Sequence, residues 1–319
     1  MKPSLAKAEN GTRNRKYKFS GHQTFAFRYG WLEKGVRGML DKKDLFLRDD
    51  ALVILGVGKN MVESIRHWCT VTQLIEEDTV TKKRSGAAHR VSSIGERLLG
   101  KDGWDPYLED DASLWLIHWL LVSNPTICTT WQIAFSFFQR PDFTKREMVD
   151  YVAAFAEKQS VGVKASSLSR DIDCFVRTYT SANANTAKHA IAEEGFDCPL
   201  QELGLLQASP DGELYRFSIG AKSTLPSQVF GYALSGYFDA VHGTSNSMSV
   251  QECLYGLGSP GQAFKLDENT LIAHVEELDK ITHHKVALDE TAGLKQIFRR
   301  EQMDALKLLE SYYKREAHK

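Results

Sequence analysis

The run Phe19-Ser20-Gly21-His22-Gln23-Thr24-Phe25-Ala26-Phe27-Arg28-Tyr29-Gly30-Trp31-Leu32 concentrates more reactive and aromatic side chains than any other part of the sequence. His22 can give or take a proton near neutral pH. Arg28 can clamp a phosphate through its planar fork, and the aromatic rings can stack on bases. Proton transfer and charge stabilisation are what phosphodiester cleavage asks of side chains, so His22, Gln23 and Arg28 are the candidate catalytic residues. The same composition also suits a core, with Phe25, Phe27 and Trp31 buried and His22 an interior hydrogen-bonding residue. Both readings stay open at this level.

Other constellations carry less. Asp171 and Asp173 stand two apart in a helical pattern, which points them roughly 200° apart; they cannot share a metal, and solvated helix acids are the expectation. Asp49 and Asp50 are expected to start a helix. His283-His284-Lys285 ahead of Asp289 and Glu290 has neither the spacing nor the glycine-rich context of a phospholipase D nuclease motif. Gly56-Val57-Gly58-Lys59-Asn60 lacks the full phosphate-loop pattern, so no nucleotide cofactor is expected. No set of metal ligands can be named. The five cysteines, Cys69, Cys128, Cys174, Cys198 and Cys253, are scattered and never form a CxxC pair, which argues against a disulfide framework or a zinc site and for a reducing cytoplasm.

The elements that must position these residues are mostly helices. From Gly58 to Leu74 the residues Met61, Val62, Ile65, Trp68 and Cys69 share one face, leaving Lys59, Asn60, Glu63, Arg66, His67 and Thr70 outward. A strand over 74–78, a basic tip over 81–86 and a return through Ala88 to Val91 follow, and a helix opening at Val91-Ser92-Ser93 comes next, capped by serine and packed through Gly95. This order is that of a winged helix. Its outward helix residues Lys59, Asn60, Arg66 and His67 would face base edges, while Lys82, Lys83, Arg84 and Arg90 would neutralise phosphates. A winged helix that binds protein, with a merely soluble basic turn, is the alternative.

Thr144-Lys145-Arg146-Glu147 is a capping box. The helix it opens and a second one carrying Leu168, Ile172, Phe175, Val176 and Tyr179 on one face read as another helix-turn-helix. Ser209-Pro210-Asp211-Gly212 is a hairpin turn between two short strands, a second wing or a packing surface. Ser181 to Gly195 and His242 to Ser249 read as loops, and Gln302 to Arg315 as a closing amphipathic helix. The fold class is therefore mainly α with small β-hairpins, winged-helix and helix-turn-helix units in a multi-domain chain. The expected division is a basic flexible tail over 1–20, an N-terminal winged-helix-like domain over 21–100, a helical helix-turn-helix domain over 101–200 and a C-terminal helical domain with hairpins over 201–319. The tail is either solvated or an arm on DNA phosphates, and it lacks the apolar run of a signal peptide. Leu114 to Val122 is too short to span a membrane and contains His118, so a buried helix is expected. With 40 basic and 41 acidic residues and a formal charge of -1, any affinity for DNA must come from local clusters.

The opening run, together with Leu55-Gly56-Val57-Gly58-Lys59-Asn60-Met61-Val62-x-Ser64-Ile65-Arg66-x-Trp68, resembles a bacterial family catalogued as a domain of unknown function. Cys198-Pro199-Leu200-x-Glu202-Leu203-Gly204-Leu205, Ser259-Pro260-Gly261-x-x-Phe264-x-Leu266 and Asp289-x-Thr291-Ala292-Gly293-Leu294 extend the likeness over nearly the full chain. Its understood members resemble SspB-like DNA-nicking proteins, encoded with a cysteine desulfurase, an ATPase and a sulfur-transfer enzyme of single-strand DNA phosphorothioation. The resemblance implies a homodimeric nickase of double-stranded DNA that depends on Mg or Mn. Gln23 stands where the family equally carries an acid, so it is not an indispensable metal ligand. A non-enzymatic winged-helix DNA-binding adaptor or regulator is the alternative, because no carboxylate cluster is recognisable.

Overall fold

The computed structural model describes residues 17–83, 86–123, 128–181, 198–243, 245–291 and 293–316, with backbone alone at 79–83, 86–87 and 291. The N-terminal part runs α1 (Trp31–Asp41), α2 (Ala51–Leu55) and α3 (Lys59–Val71), then an antiparallel hairpin of β1 (Ile75–Lys83) and β2 (Gly86–Val91), then α4 (Ser93–Leu99). Ser92 caps α4 by accepting from the Gly95 N–H at 3.0 Å. Gly95 is required there, since a Cβ would stand 2.1 Å from the Leu74 carbonyl oxygen. Helix, hairpin and helix thus follow in the expected order.

The middle comprises α5 (Asp111–Ser123), α6 (Thr129–Gln132) continuing into a π-helical turn (Ile133–Phe137), β3 (Asp142–Phe143), α7 (Lys145–Lys158) and α8 (Ala165–Tyr179). Thr144 and Glu147 form the capping box of α7, and α7 packs on α8. A 3-10 turn (Pro199–Leu203) leads to β4 (Leu206–Ala208) and β5 (Tyr215–Phe217), which join β3 in a sheet of order β3-β5-β4. The C-terminal part holds α9 (Ser227–Val241), β6 (Ser247–Ser249), α10 (Val250–Tyr255), α11 (Pro260–Phe264), α12 (Glu268–Ile281), β7 (Val286–Thr291), β8 (Leu294–Arg299) and α13 (Ala305–Glu316). The architecture is mainly helical with small antiparallel sheets.

Two sequence expectations change. Ser247 to Ser249, read as loop, is the edge strand β6 on β8, because Met248 pairs with Ile297 and both are buried. Of the expected basic tail, residues 1–16 lie outside the described residues, while Tyr17 to Ser20 are bound to the body: Lys18 N donates to Thr129 Oγ1 at 2.8 Å and Thr129 N returns to Lys18 O at 3.2 Å. Most of the loop expected over 181–195 also lies outside the described residues. All five cysteines are buried and none forms a disulfide among the described residues. No helix among the described residues is long and apolar enough to cross a membrane.

Helix α5 is apolar all round and runs through the core. His118 fits there because both ring nitrogens are used: Nε2 donates to the Ala263 carbonyl and Nδ1 accepts from the Tyr179 hydroxyl, each at 2.8 Å. Burial pushes its pKa from 6.5 down to about 3. The folded state therefore keeps His118 neutral while the unfolded chain takes up a proton below pH 6.5, so stability is fully present above 6.5 and falls as pH drops towards 3. Each such histidine contributes a slope of up to about 1.4 kcal/mol per pH unit. Denaturant unfolding followed from pH 7 to pH 4 should show this loss, and His118→Gln, which cannot protonate, should flatten it; an unchanged slope would remove His118 from the account.

Candidate functional site

The segment from Phe19 to Thr24 has an unusual backbone: Ser20, Gly21, Gln23 and Thr24 all have positive φ, at 64°, 112°, 49° and 65°. Non-glycine residues rarely adopt this region, so the surroundings must hold the loop. They do so through Asp171, which α8 delivers into the interior at 1% exposure. Its oxygens accept from the Ser20 backbone N–H (2.9 and 3.1 Å), from His22 Nε2 (2.8 Å) and from the Thr130 hydroxyl (2.8 Å). On the other side of the ring, His22 Nδ1 accepts from the Thr24 N–H at 3.0 Å. That bond puts the ring proton on Nε2, where it is donated to Asp171.

Helix α3 and α8 fix the remaining peptide groups. Ser64 Oγ donates to His22 O and Trp68 Nε1 to Phe25 O, both at 2.9 Å, while the Arg177 guanidinium donates to Thr24 O. Gly21 is obligatory on two grounds: its φ is 112°, and a Cβ would come within 2.6 Å of His67 Nδ1. His67 was expected to face outward with Lys59, Asn60 and Arg66. Its ring instead packs under Gly21, because the loop lies over this turn of α3 and leaves the side chain half-buried at the edge of a cleft. Desolvation first, and the neighbouring His22 second, push its pKa down to about 3. Its Nε2 is buried without a hydrogen-bond partner among the described residues.

Beside this loop lies a cleft of about 400 Å³ lined by Lys18, Phe19, Gln23, Glu63, Arg66 and Thr70 among others. The hairpin pair Glu77 and His89 closes its far side. Gln23 is exposed and donates to Glu63 at 2.6 Å. The structure thus brings His22, Gln23, Arg66 and His67 together. Arg28 lies elsewhere, half-buried with its guanidinium 5.5 Å from the Trp31 ring and 5.9 Å from the Phe25 ring. Lys59 and Asn60 are exposed at the start of α3. Arg90 is paired with Glu76 at 3.0 Å across the hairpin, an acid on the opposite strand in register with it. Lys82 and Lys83 are in β1, and Arg84 lies outside the described residues.

The site residues that the sequence reading missed are Asp171, Thr130, Ser64 and Trp68. Asp171 was expected to be solvated; its burial overturns that reading. A signal was present, since Asp171 sits three residues after Leu168 and four before Phe175, on the apolar stripe of α8. Asp173 faces away and pairs with Lys145 at 2.7 Å.

A family model described as "Protein of unknown function (DUF4007)" matches residues 19–313. The chain belongs to this family. Among solved structures, this DUF4007 protein is similar to one described as "SspB crystal structure", with a TM-score of 0.83 and 29% identity over 95% of this chain and 90% of that one. It is equally similar to a "Magnesium ion-bound SspB crystal structure", at TM-score 0.83 and 30% identity over the same shares. The likeness to SspB-like proteins read from the motifs is thereby borne out. No curated protein sequence matches the chain.

The magnesium of that relative raises the question of fit. Among the described residues no group of three or more His, Cys, Asp or Glu side chains could hold a metal ion, and both oxygens of Asp171 are occupied by donors from the protein. The described residues do not form a protein-only cage.

Asp171 holds the loop through three donors that nothing else satisfies. Asp171→Ala should therefore cost about 3–5 kcal/mol in denaturant unfolding, and Thr130→Val, which removes one donor, about 1–3 kcal/mol. An Asp171→Ala protein within about 0.5 kcal/mol of the parent, the size of an ordinary surface change, would show that the loop does not depend on this carboxylate.

Proposed function

We propose that this protein is a DNA-nicking endonuclease of bacterial single-strand DNA phosphorothioation. One observation carries the reading: similarity to SspB over 95% of this chain and 90% of that one, at about 30% identity. The protein works on double-stranded DNA in the cytoplasm as a homodimer, alongside a cysteine desulfurase, an ATPase and a sulfur-transfer enzyme. A divalent ion, Mg or Mn, belongs to this proposal on the strength of the magnesium-bound relative; no nucleotide is needed.

In this reading α3, the hairpin and α4 act as a winged helix of the 21–100 domain. Lys59 and Asn60 face the bases, Arg66 turns to the cleft beside Gly21, and Lys82, Lys83, Arg84 and Arg90 meet phosphates. The helix-turn-helix unit of 101–200 supplies Asp171 from α8, and 201–319 completes the chain. His22, enclosed between Asp171 and Thr24, is a positioning residue that shapes the loop. Gln23 and Arg28, which reach solvent, are the groups of the run that a DNA strand can meet; Arg28 clamps the scissile phosphate. The adaptor reading is favoured by a separate observation, the engagement of both His22 ring nitrogens by the protein itself. It predicts binding without cleavage.

Purified protein with Mg or Mn should convert supercoiled plasmid to open circle without ATP, and EDTA should stop it. Persistent supercoiled DNA despite demonstrated binding would decide for the adaptor. Arg28→Ala should cut nicking by roughly ten- to a thousandfold while duplex affinity stays nearly intact. Reversing Lys82, Lys83 and Arg84 to Glu should instead weaken binding to every duplex and flatten its salt dependence; a folded triple variant with unchanged salt slope would take the hairpin out of the interface.

A further inference from the structure

The cleft beside Gly21 is walled in part by the ring of His67. His67 Nε2 is buried and has no hydrogen-bond partner among the described residues. The atom is closed off from solvent, so a ligand in the cleft meets the surface of the ring and not Nε2. The rest of the lining restricts the ligand's chemistry. Phe19 offers an aromatic face, Lys18 and Arg66 offer positive charge, and Gln23 beside Glu63 offers an amide and a carboxylate within 2.6 Å of each other. A bare inorganic anion would leave Phe19 and His67 unused. A purely apolar ligand would strand both cations. A flat heteroaromatic ring with polar edges and an attached phosphate uses all of them, and about 400 Å³ lies within the roughly 300–1,000 Å³ range of small-ligand sites.

The cleft's position narrows the source. It opens between the Glu63-Arg66-Thr70 face of α3, residues spaced to lie along one side of the helix, and the foot of the hairpin at Glu77 and His89. We propose that this cleft receives one nucleotide swung out of the duplex, its base against Phe19 and His67 and its phosphate on Lys18 and Arg66. The proposal rests on the DNA reading above and names the part of the substrate that this site takes. Unstacking one base costs a few kcal/mol, and stacking on an aromatic side chain returns about 1–3 kcal/mol. The two cations add the remainder.

A duplex carrying 2-aminopurine, whose fluorescence is quenched by stacking, reads this directly. The full-length protein at saturating concentration should raise the emission several-fold when the analogue occupies the extruded position in a scan along the duplex. Thr70→Phe, which fills the cleft from α3, should abolish most of the rise while duplex affinity falls little. Arg66→Ala, which leaves the packing of the helix alone, should reduce it as well. A saturated complex with no rise at any position overturns the proposal, as does a rise that neither variant alters. Saturable binding of deoxyadenosine monophosphate without a rise in the duplex would assign the cleft to free nucleotide and likewise overturn it. A protein that binds no duplex at all removes the nicking reading. Mononucleotide titration then decides the cleft by itself: binding lost in Thr70→Phe keeps a nucleotide there, and no binding removes it.

Discussion

The contact between His22 and Asp171, 149 residues apart in sequence and 2.8 Å apart in space, is the constraint on which the N-terminal loop depends. A buried carboxylate is stable only when donors surround it, and here the donors are the loop itself: a backbone N–H of Ser20, the ring of His22, and Thr130 from α6. The arrangement is reciprocal. The carboxylate holds four residues at positive φ, and the loop in turn makes the carboxylate tolerable on an otherwise apolar helix face. Gln23, which reaches over the cleft from this loop, inherits its position from α8.

Three histidines, His22, His118 and His274, serve the interior. His118 bridges Tyr179 and the Ala263 carbonyl, and His274 is hydrogen-bonded to the Ser227 hydroxyl while stacked on Phe230; burial pushes their pKa values down to about 3 and about 4. His67 follows the same rule under Gly21, except that one nitrogen is left unmatched among the described residues. That exception separates it from two residues whose hydrogen bonds account for their presence.

Charge tells a similar story of local rather than global design. The chain is nearly neutral overall, and the hairpin's Arg90 is balanced by Glu76 across the strands. An exposed pair of this kind contributes about 0–1 kcal/mol, so it limits the positive field at the foot of the hairpin more than it stabilises the fold. The positive charge next to the cleft comes instead from Lys18 and Arg66, brought together by the return of the N-terminal segment over α3.

What the sequence determined by itself is local. The capping box at Thr144, the serine cap and close-packed glycine of α4, the hairpin turn at Ser209 to Gly212, the wholly apolar α5 and the amphipathic α13 follow from residue spacing, because each depends on neighbours a few positions away. The motif run and its family likeness were equally legible. Tertiary structure alone decided which polar residues leave water. Asp171 looked like a solvated helix acid, His67 like an outward reader, and Ser247 to Ser249 like a loop; each is fixed by a partner between about 45 and 150 positions away, Ser20 and His22, Gly21, and β8 respectively. Helical period can show that Asp171 shares a stripe with Leu168 and Phe175. It cannot supply the three donors that make a carboxylate acceptable there, because those donors exist only once the N-terminal segment has folded back across α3, α6 and α8.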